Sequence, residues 1–342
     1  MSEGYPVEVA MRYEHKDLIE GAAYAFLRSH PDLRNMAYLV ISGSRGYGTA
    51  TDTSDVDLRG FVVEDKKYLL GCNSFEQFED SCTDTVLYGL KKFFCLCRGA
   101  NPNVLELLGA DEDCVVVMNE VGRKVRDSVE MFVSKRVIGS FGNYATAQLR
   151  RLQNALCHDQ LGVAQQEFHL RDTLMGCMEH FNRMYTGFDK NAIRLYLREE
   201  GEVHNLPDQR ILMDINLEGY PLRDFVGIYS EMRETVRNYE KLNHRNRKKD
   251  EVHLCKHAMH LVRLLMTGTD ILRGRGIITK RQAEHELLMD IRNGFYGWPE
   301  FFDLAERFRA DFEEAARNTK LPDEPDDARI EALQMEIFEG FM

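Results

Sequence analysis

A chain of 342 residues, 44% hydrophobic and 29% charged, is long enough for two domains or one domain with a large extension, and its composition excludes the disordered and fibrous classes. Its net charge of −12 argues against a protein coated in nucleic acid, because phosphate binding needs clustered Lys and Arg, and it leaves room only for local basic patches. No apolar run approaches the roughly eighteen residues of a membrane helix, and the opening MSEGYPVEVAMRYEHKD lacks the order of a secretory signal, so no membrane partner and a cytoplasmic location are expected.

Residues 15–29 carry apolar side chains at helical spacing, and Met36 to Ile41 is a short β-prone run that reads as a buried strand. A glycine-rich turn follows, then Val56 to Val63 as a second strand. Residues 75–79 and 83–88 read as two more strands, before a helix near Lys91. Beyond about residue 125 strand signals almost vanish. The expected organisation is an α/β core, a mixed sheet with flanking helices over residues 1–125, followed by an all-α domain over 126–342. Within that second part Thr279 and Gln282 have the spacing of a capping box, and Asn293-Gly294 would close the helix so opened. Pro299 suits the first turn of a helix to about Arg317, and 325–340 reads as a terminal amphipathic helix. The eight cysteines lack paired zinc-site spacing and read as reduced thiols. The marked basic run is Asn243 to Lys249.

The chemistry concentrates between Gly43 and Asp57. Gly43 and its neighbouring glycines let the backbone approach a ligand, and Ser44 adds a hydroxyl, together a cradle for the β and γ phosphates of a nucleoside triphosphate such as ATP. Asp55 and Asp57, two apart on a strand, would project from one face and share hard divalent cations. Two magnesium ions held there would polarise an α-phosphate, activate a hydroxyl and neutralise departing pyrophosphate. The pattern is neither a P-loop nor a dinucleotide fingerprint, since the spacings of both are missing.

Gly43-Ser44 followed by Ser54-Asp55-Val56-Asp57 resembles the signature of the DNA polymerase β superfamily of nucleotidyltransferases. The likeness is closer to the nucleotidyltransferases associated with RNA ligases. It continues through Gly46-Tyr47-Gly48-Thr49-Ala50, Tyr88 to Phe93, Asn101-Pro102 with Leu105-Glu106-Leu107-Leu108, Tyr144-Ala145 with Gln148, and Lys256 to Leu265. The resemblance implies a third carboxylate on a neighbouring strand, placed by position at Asp84, with Asp80, Glu79 and the more distant Glu106 as alternatives. It implies metal-dependent transfer of a nucleoside monophosphate to a hydroxyl. An RNA 3′ end such as that of tRNA is the first choice of acceptor, and a small-molecule or protein hydroxyl the second. A module that binds nucleotide or a partner without catalysis is the rival class.

From Asp250 to Met266 the sequence reads as a helix with His253, Lys256, His260 and Arg263 on one narrow stripe and Leu254, Ala258, Leu261, Val262 and Leu265 opposite. The stripe is expected to present positive charge to phosphates, and Lys256, His260 and Arg263 are assigned to nucleotide binding together with Gly43, Ser44 and Arg45. Base preference and oligomeric state are not legible in the residues.

Overall fold

The computed structural model describes residues 16–160, 192–197, 211–233 and 251–341. The basic run at 243–249 and the expected N-cap at Asp250 lie outside them. By packing, the chain divides into two compact units, Met1–Gln148 with Cys255–Met342, and Leu149–Leu254.

The first unit is built on a five-stranded sheet of β1 (Met36–Ser42), β2 (Asp57–Val62), β3 (Gln77–Asp80), β4 (Thr85–Gly89) and β5 (Val115–Met118), in the order β3-β4-β2-β1-β5. Strand β1 runs antiparallel to both β2 and β5, β3 is antiparallel to β4, and β2 and β4 are parallel. The longer helices of this unit are α1 (Leu90–Arg98), α2 (Glu120–Asp127), α3 (Arg136–Gln160, whose end passes into the second unit), α4 (Glu251–Leu272, whose first four residues belong to the second unit), α5 (His285–Arg292), α6 (Trp298–Asn318) and α7 (Asp327–Phe341). The expected mixed sheet with flanking helices and a largely helical remainder is what forms.

Alternation along β2 separates two environments. Leu58 and Val62 enter a core shared with Leu39, Leu87, Val116 and Val117, closed by Ile19, Leu27 and Leu33. Phe61 points to the other face, where its ring lies 5.8 Å from Tyr38 and 4.6 Å from Phe93 of α1. Each such fully buried ring contributes on the order of 1.5–3 kcal/mol, so the β2 register is firmly set. Asp57 and Arg59 share the parity of Phe61, and with the register fixed they are held at the start of the strand on the helix-covered face.

Several expectations change. The helix expected over 15–29 is broken into Lys16–Glu20, a 3-10 turn at Ala22–Tyr24, and Phe26–Ser29. Thr279 caps no helix: its hydroxyl donates to Gly109 O at 3.1 Å, and α5 begins only at His285. The closing Asn293-Gly294 is correct, with Gly294 at φ 76, and Pro299 does sit in the first turn of α6. Strand β5 went unread because Val115 to Met118 is brief and flanked by helix-like sequence. In the second unit β6 (Ile193–Leu197) pairs antiparallel with β7 (Ile211–Ile215), two strands within a region expected to be all helix.

Candidate active site

Strand β1 ends at Ser42, and the chain turns through a single short helical turn, Gly43–Gly46. Gly43 sits at φ 61, and a methyl group on it would lie 1.7 Å from Asp57 Oδ2. Glycine is therefore required on two counts, backbone conformation and room for the Asp57 carboxylate. Ser42 Oγ donates to Asp57 O at 3.2 Å, so the turn and the start of β2 are tied together. No side chain caps the first amides of the turn. Ser44 is buried, and its carbonyl accepts the amide of Thr49 at 2.8 Å.

Because β2 and β4 are parallel with Leu58 opposite Thr85, Asp57 and Asp84 start their strands side by side. Their carboxyl groups share a hydrogen bond. Burial first, then that bond and the negative charge of Asp84, push Asp57 up to about 6, while the Asp57 hydrogen bond holds Asp84 below the usual carboxylate range. Below about pH 6 the two carboxyls share one proton, and above it both ionise against their mutual repulsion. Arg59, two residues along the same face, donates to Asp84 Oδ1 at 2.7 Å and to the Asp84 carbonyl. Asp84 itself is held at φ 45, an uncommon backbone conformation for a residue other than glycine. Among the described residues no set of three or more His, Cys, Asp or Glu side chains is arranged for a metal. The dyad nevertheless fits a divalent cation: two oxygen donors in mutual repulsion, relieved by a bound positive charge.

Asp55 stands outside strand β2, in the exposed loop before it, and is not placed on one strand face with Asp57 as expected. Its carbonyl accepts from Arg45 Nε at 3.2 Å, and the carbonyl of Ser54 accepts from Arg45 Nη2 at 2.8 Å. Arg45 thus braces the loop. Tyr24 feels these acids: burial first, then the charge of Asp57 and, less, those of Asp55 and Asp80, push its hydroxyl above the usual phenol range, with Arg45 opposing. Asp80 accepts from the amide and hydroxyl of Thr83 at 2.9 and 2.7 Å, which makes it the closure of the β3-β4 turn.

The stripe on α4 divides in three. Lys256 is exposed, and its charge acts weakly on both Asp57 and Asp84, lowering each. His260 is depressed to about 3, by burial first and then by Arg263, Lys256 and other cations, so it carries no positive charge for a phosphate. Arg263 is only 5% exposed and gives Nη1 to Glu106 Oε1 at 2.8 Å, with its guanidinium 3.5 Å above the ring centre of Tyr47. Tyr47 donates its hydroxyl to Glu106 Oε2 at 2.7 Å. Instead of presenting charge to solvent, Arg263 and Glu106 clamp the Gly46-Tyr47-Gly48 segment against α4.

Sequence reasoning missed Arg59, Tyr24 and Tyr47. Asp57-x-Arg59 carried a usable signal, since period-two alternation puts the two side chains on one face. Nothing local announced Tyr24, which the broken first helix delivers to the site.

No curated protein and no solved structure matches the chain. Residues 26–185 match the model of the RNA repair pathway DNA polymerase beta family, a stretch that holds Gly43, Asp57, Arg59 and Asp84 and stops short of α4. Over those residues, a little under half of the chain, the sequence is similar to polymerase β-like nucleotidyltransferases associated with RNA repair.

Proposed function

We propose that the chain transfers a nucleoside monophosphate from a nucleoside triphosphate to a hydroxyl, releasing pyrophosphate, with an RNA 3′ end as acceptor. The observation that carries this reading is the Asp57-Asp84 dyad pressed against Gly43 at the end of the sheet. A carboxylate pair whose burial and mutual repulsion raise its affinity for a proton should favour a cation for the same reason. Asp57 and Asp84 would hold divalent magnesium, with Asp55 completing the acidic set, and when bound the metal supplies charge neutralisation at the phosphates. The catalytic part is assigned to residues 1–125, and the helical part, 126–342, contributes Lys256.

In this reading Gly43 and Ser44 position the triphosphate through the uncapped turn, and Lys256 offsets its charge. Arg59 fixes Asp84 and therefore the spacing of the acids. Arg45, His260 and Arg263 are moved from ligand contact to support of the loop. The RNA acceptor rests on the family's place in RNA repair and stands against a net charge of −12.

Incubation of the protein with each α-labelled triphosphate, magnesium and total RNA tests the proposal. Label on RNA is expected. Label on a small molecule or on protein would keep the chemistry and replace the acceptor, and no transfer at any metal concentration would leave a nucleotide-binding module.

A further inference from the structure

After α4 the chain returns to the loop that precedes β2. His285 Nε2 lies 2.9 Å from Gly48 O, and Lys280, ion-paired to Asp113, packs against Gly48. The last residue of α5, Arg292, brings Nη2 to 3.3 Å from Ser54 Oγ, one residue before Asp55.

Unlike the other arginines around this site, Arg292 has no carboxylate or carbonyl acceptor among the described residues, although Arg263 too leaves its buried Nε without an acceptor. Arg45 is spent on two carbonyls, Arg59 on Asp84 and Arg263 on Glu106. The Nη1 atom of Arg292 is buried and meets no hydrogen-bond acceptor, and no carboxylate among the described residues forms an ion pair with it. Burial lowers the guanidinium's affinity for its proton with no anion to offset it. Its charge reaches His260, which also feels Lys256, the cation whose charge acts weakly on the dyad. Position at a helix C-terminus favours a cation modestly. That explains why the charge is tolerated, but leaves a buried donor aimed at nothing, an arrangement that ordinarily costs more than a cap returns.

We infer that Arg292 is a phosphate-binding residue of the nucleotide site, donating Nη1 to a non-bridging oxygen of the triphosphate beside the Ser54 loop. This rests on the nucleotidyl-transfer reading of the Asp57 site. A guanidinium with one donor on Ser54 and one unpartnered carries the fork that phosphate oxygens accept, and because Nη1 is covered in the ligand-free chain, the Ser54 contact must open to admit a phosphate. Arg292 lies outside the matched stretch 26–185, so the site would be completed by a helix far along the chain. The same chemistry could engage a phosphodiester of the acceptor, and the test separates the two.

Full-length protein, Arg292→Met and Arg292→Lys are compared by thermal unfolding and by calorimetric titration with tripolyphosphate in EDTA, where no metal and no catalysis enter. Without ligand, Arg292→Met should melt at or above the unaltered protein, because an uncompensated charge has been removed. Its tripolyphosphate affinity should fall at least about tenfold, with Arg292→Lys between. A lower melting temperature for ligand-free Arg292→Met, undiminished tripolyphosphate binding, or no tripolyphosphate binding by the unaltered protein would each overturn the inference. So would loss of binding to a 3′-hydroxyl RNA oligonucleotide with tripolyphosphate binding intact, which would move Arg292 to the acceptor. Asp57→Asn should retain tripolyphosphate binding in EDTA while losing transfer, so failure of the transfer reading and failure of the Arg292 assignment give different results.

Discussion

Two acid-and-arginine clusters lie in the first compact unit and are built from nearly the same parts. At the sheet end, Asp57, Asp84 and Arg59 hold two acids to one base, with Arg59 22% and Asp84 59% exposed at the side chain. Under α4, Glu106 and Arg263 are one to one, 2% and 6% exposed at the side chain, and Tyr47 occupies the second carboxylate oxygen. The second cluster is balanced in charge, although Arg263 Nε is buried without an acceptor, so it can serve architecture alone. The first is incomplete, with an excess of negative charge that a proton only partly relieves. Charge balance and burial, more than residue type, separate a cluster that waits for a ligand from one that holds a loop.

The largest expected effect tests the buried cluster. Arg263→Met leaves Glu106 charged and buried, and removing one partner of such a pair costs about 3–5 kcal/mol, to be read from urea unfolding. The double change Glu106→Gln with Arg263→Met should recover much of that loss. If Arg263→Met instead keeps its stability and raises only the nucleotide KM, Arg263 is a ligand contact after all and the contrast between the clusters fails.

The sheet-end cluster should behave the other way. Asp57→Asn and Asp84→Asn should each lower the transfer rate by about 10²–10³-fold, the scale of losing one preorganised charge-stabilising group. Their melting temperatures without metal should stay level or rise, since a repulsive pair has been dissolved. Next in size is Gly43→Ala. The left-handed backbone costs about 1–2 kcal/mol for an L side chain, and the added methyl displaces the Asp57 carboxylate. Transfer should therefore fall by more than the stability loss accounts for, and a variant that loses stability alone would separate Gly43 from the dyad.

The sequence displayed the sheet well because its signals are local. Met36 to Ile41 is apolar without interruption, and the Gly43-Ser44 turn comes one residue after it. The pairing of Asp57 with Asp84 was legible only through resemblance, since it depends on β2 and β4 running parallel with β3 outside them, a long-range fact that periodicity does not encode. The α4 stripe shows the opposite failure. Its spacing was read correctly, and helical geometry does align Lys256, His260 and Arg263. Helical spacing, however, says nothing about what packs on the stripe, and Glu106 with Tyr47 covers its far end. Arg292 carried no local signal, because α5 reads as an ordinary amphipathic helix and only the return of the chain puts its last residue beside Ser54.

The smallest expected effect is one of pH, and it has opposite signs in the two regions. Asp57 moves from 3.8 up to about 6 on folding. Between those values the unfolded chain has released its proton while the folded chain still holds it, so stability attributable to Asp57 falls as pH rises through this window. His260 moves from 6.5 down to about 3. Over that range the unfolded chain takes up a proton that the folded chain refuses, so stability attributable to His260 is present above 6.5 and is lost as pH falls. The two contributions oppose each other from about pH 4 to 6. Melting temperatures of EDTA-treated protein should consequently change little there, Asp57→Asn should show a steeper acid loss, and His260→Gln a shallower or reversed one. Solvent screening of the half-buried Asp57 keeps its share small. A saturating divalent cation should reverse the Asp57 contribution, because carboxylates holding a cation stay ionised below their unfolded pKa, so metal-loaded protein should lose stability on acidification at least as steeply as Asp57→Asn while keeping its activity. Three parallel profiles, indifferent to metal, would show that the dyad holds no proton and has no repulsion for a cation to relieve.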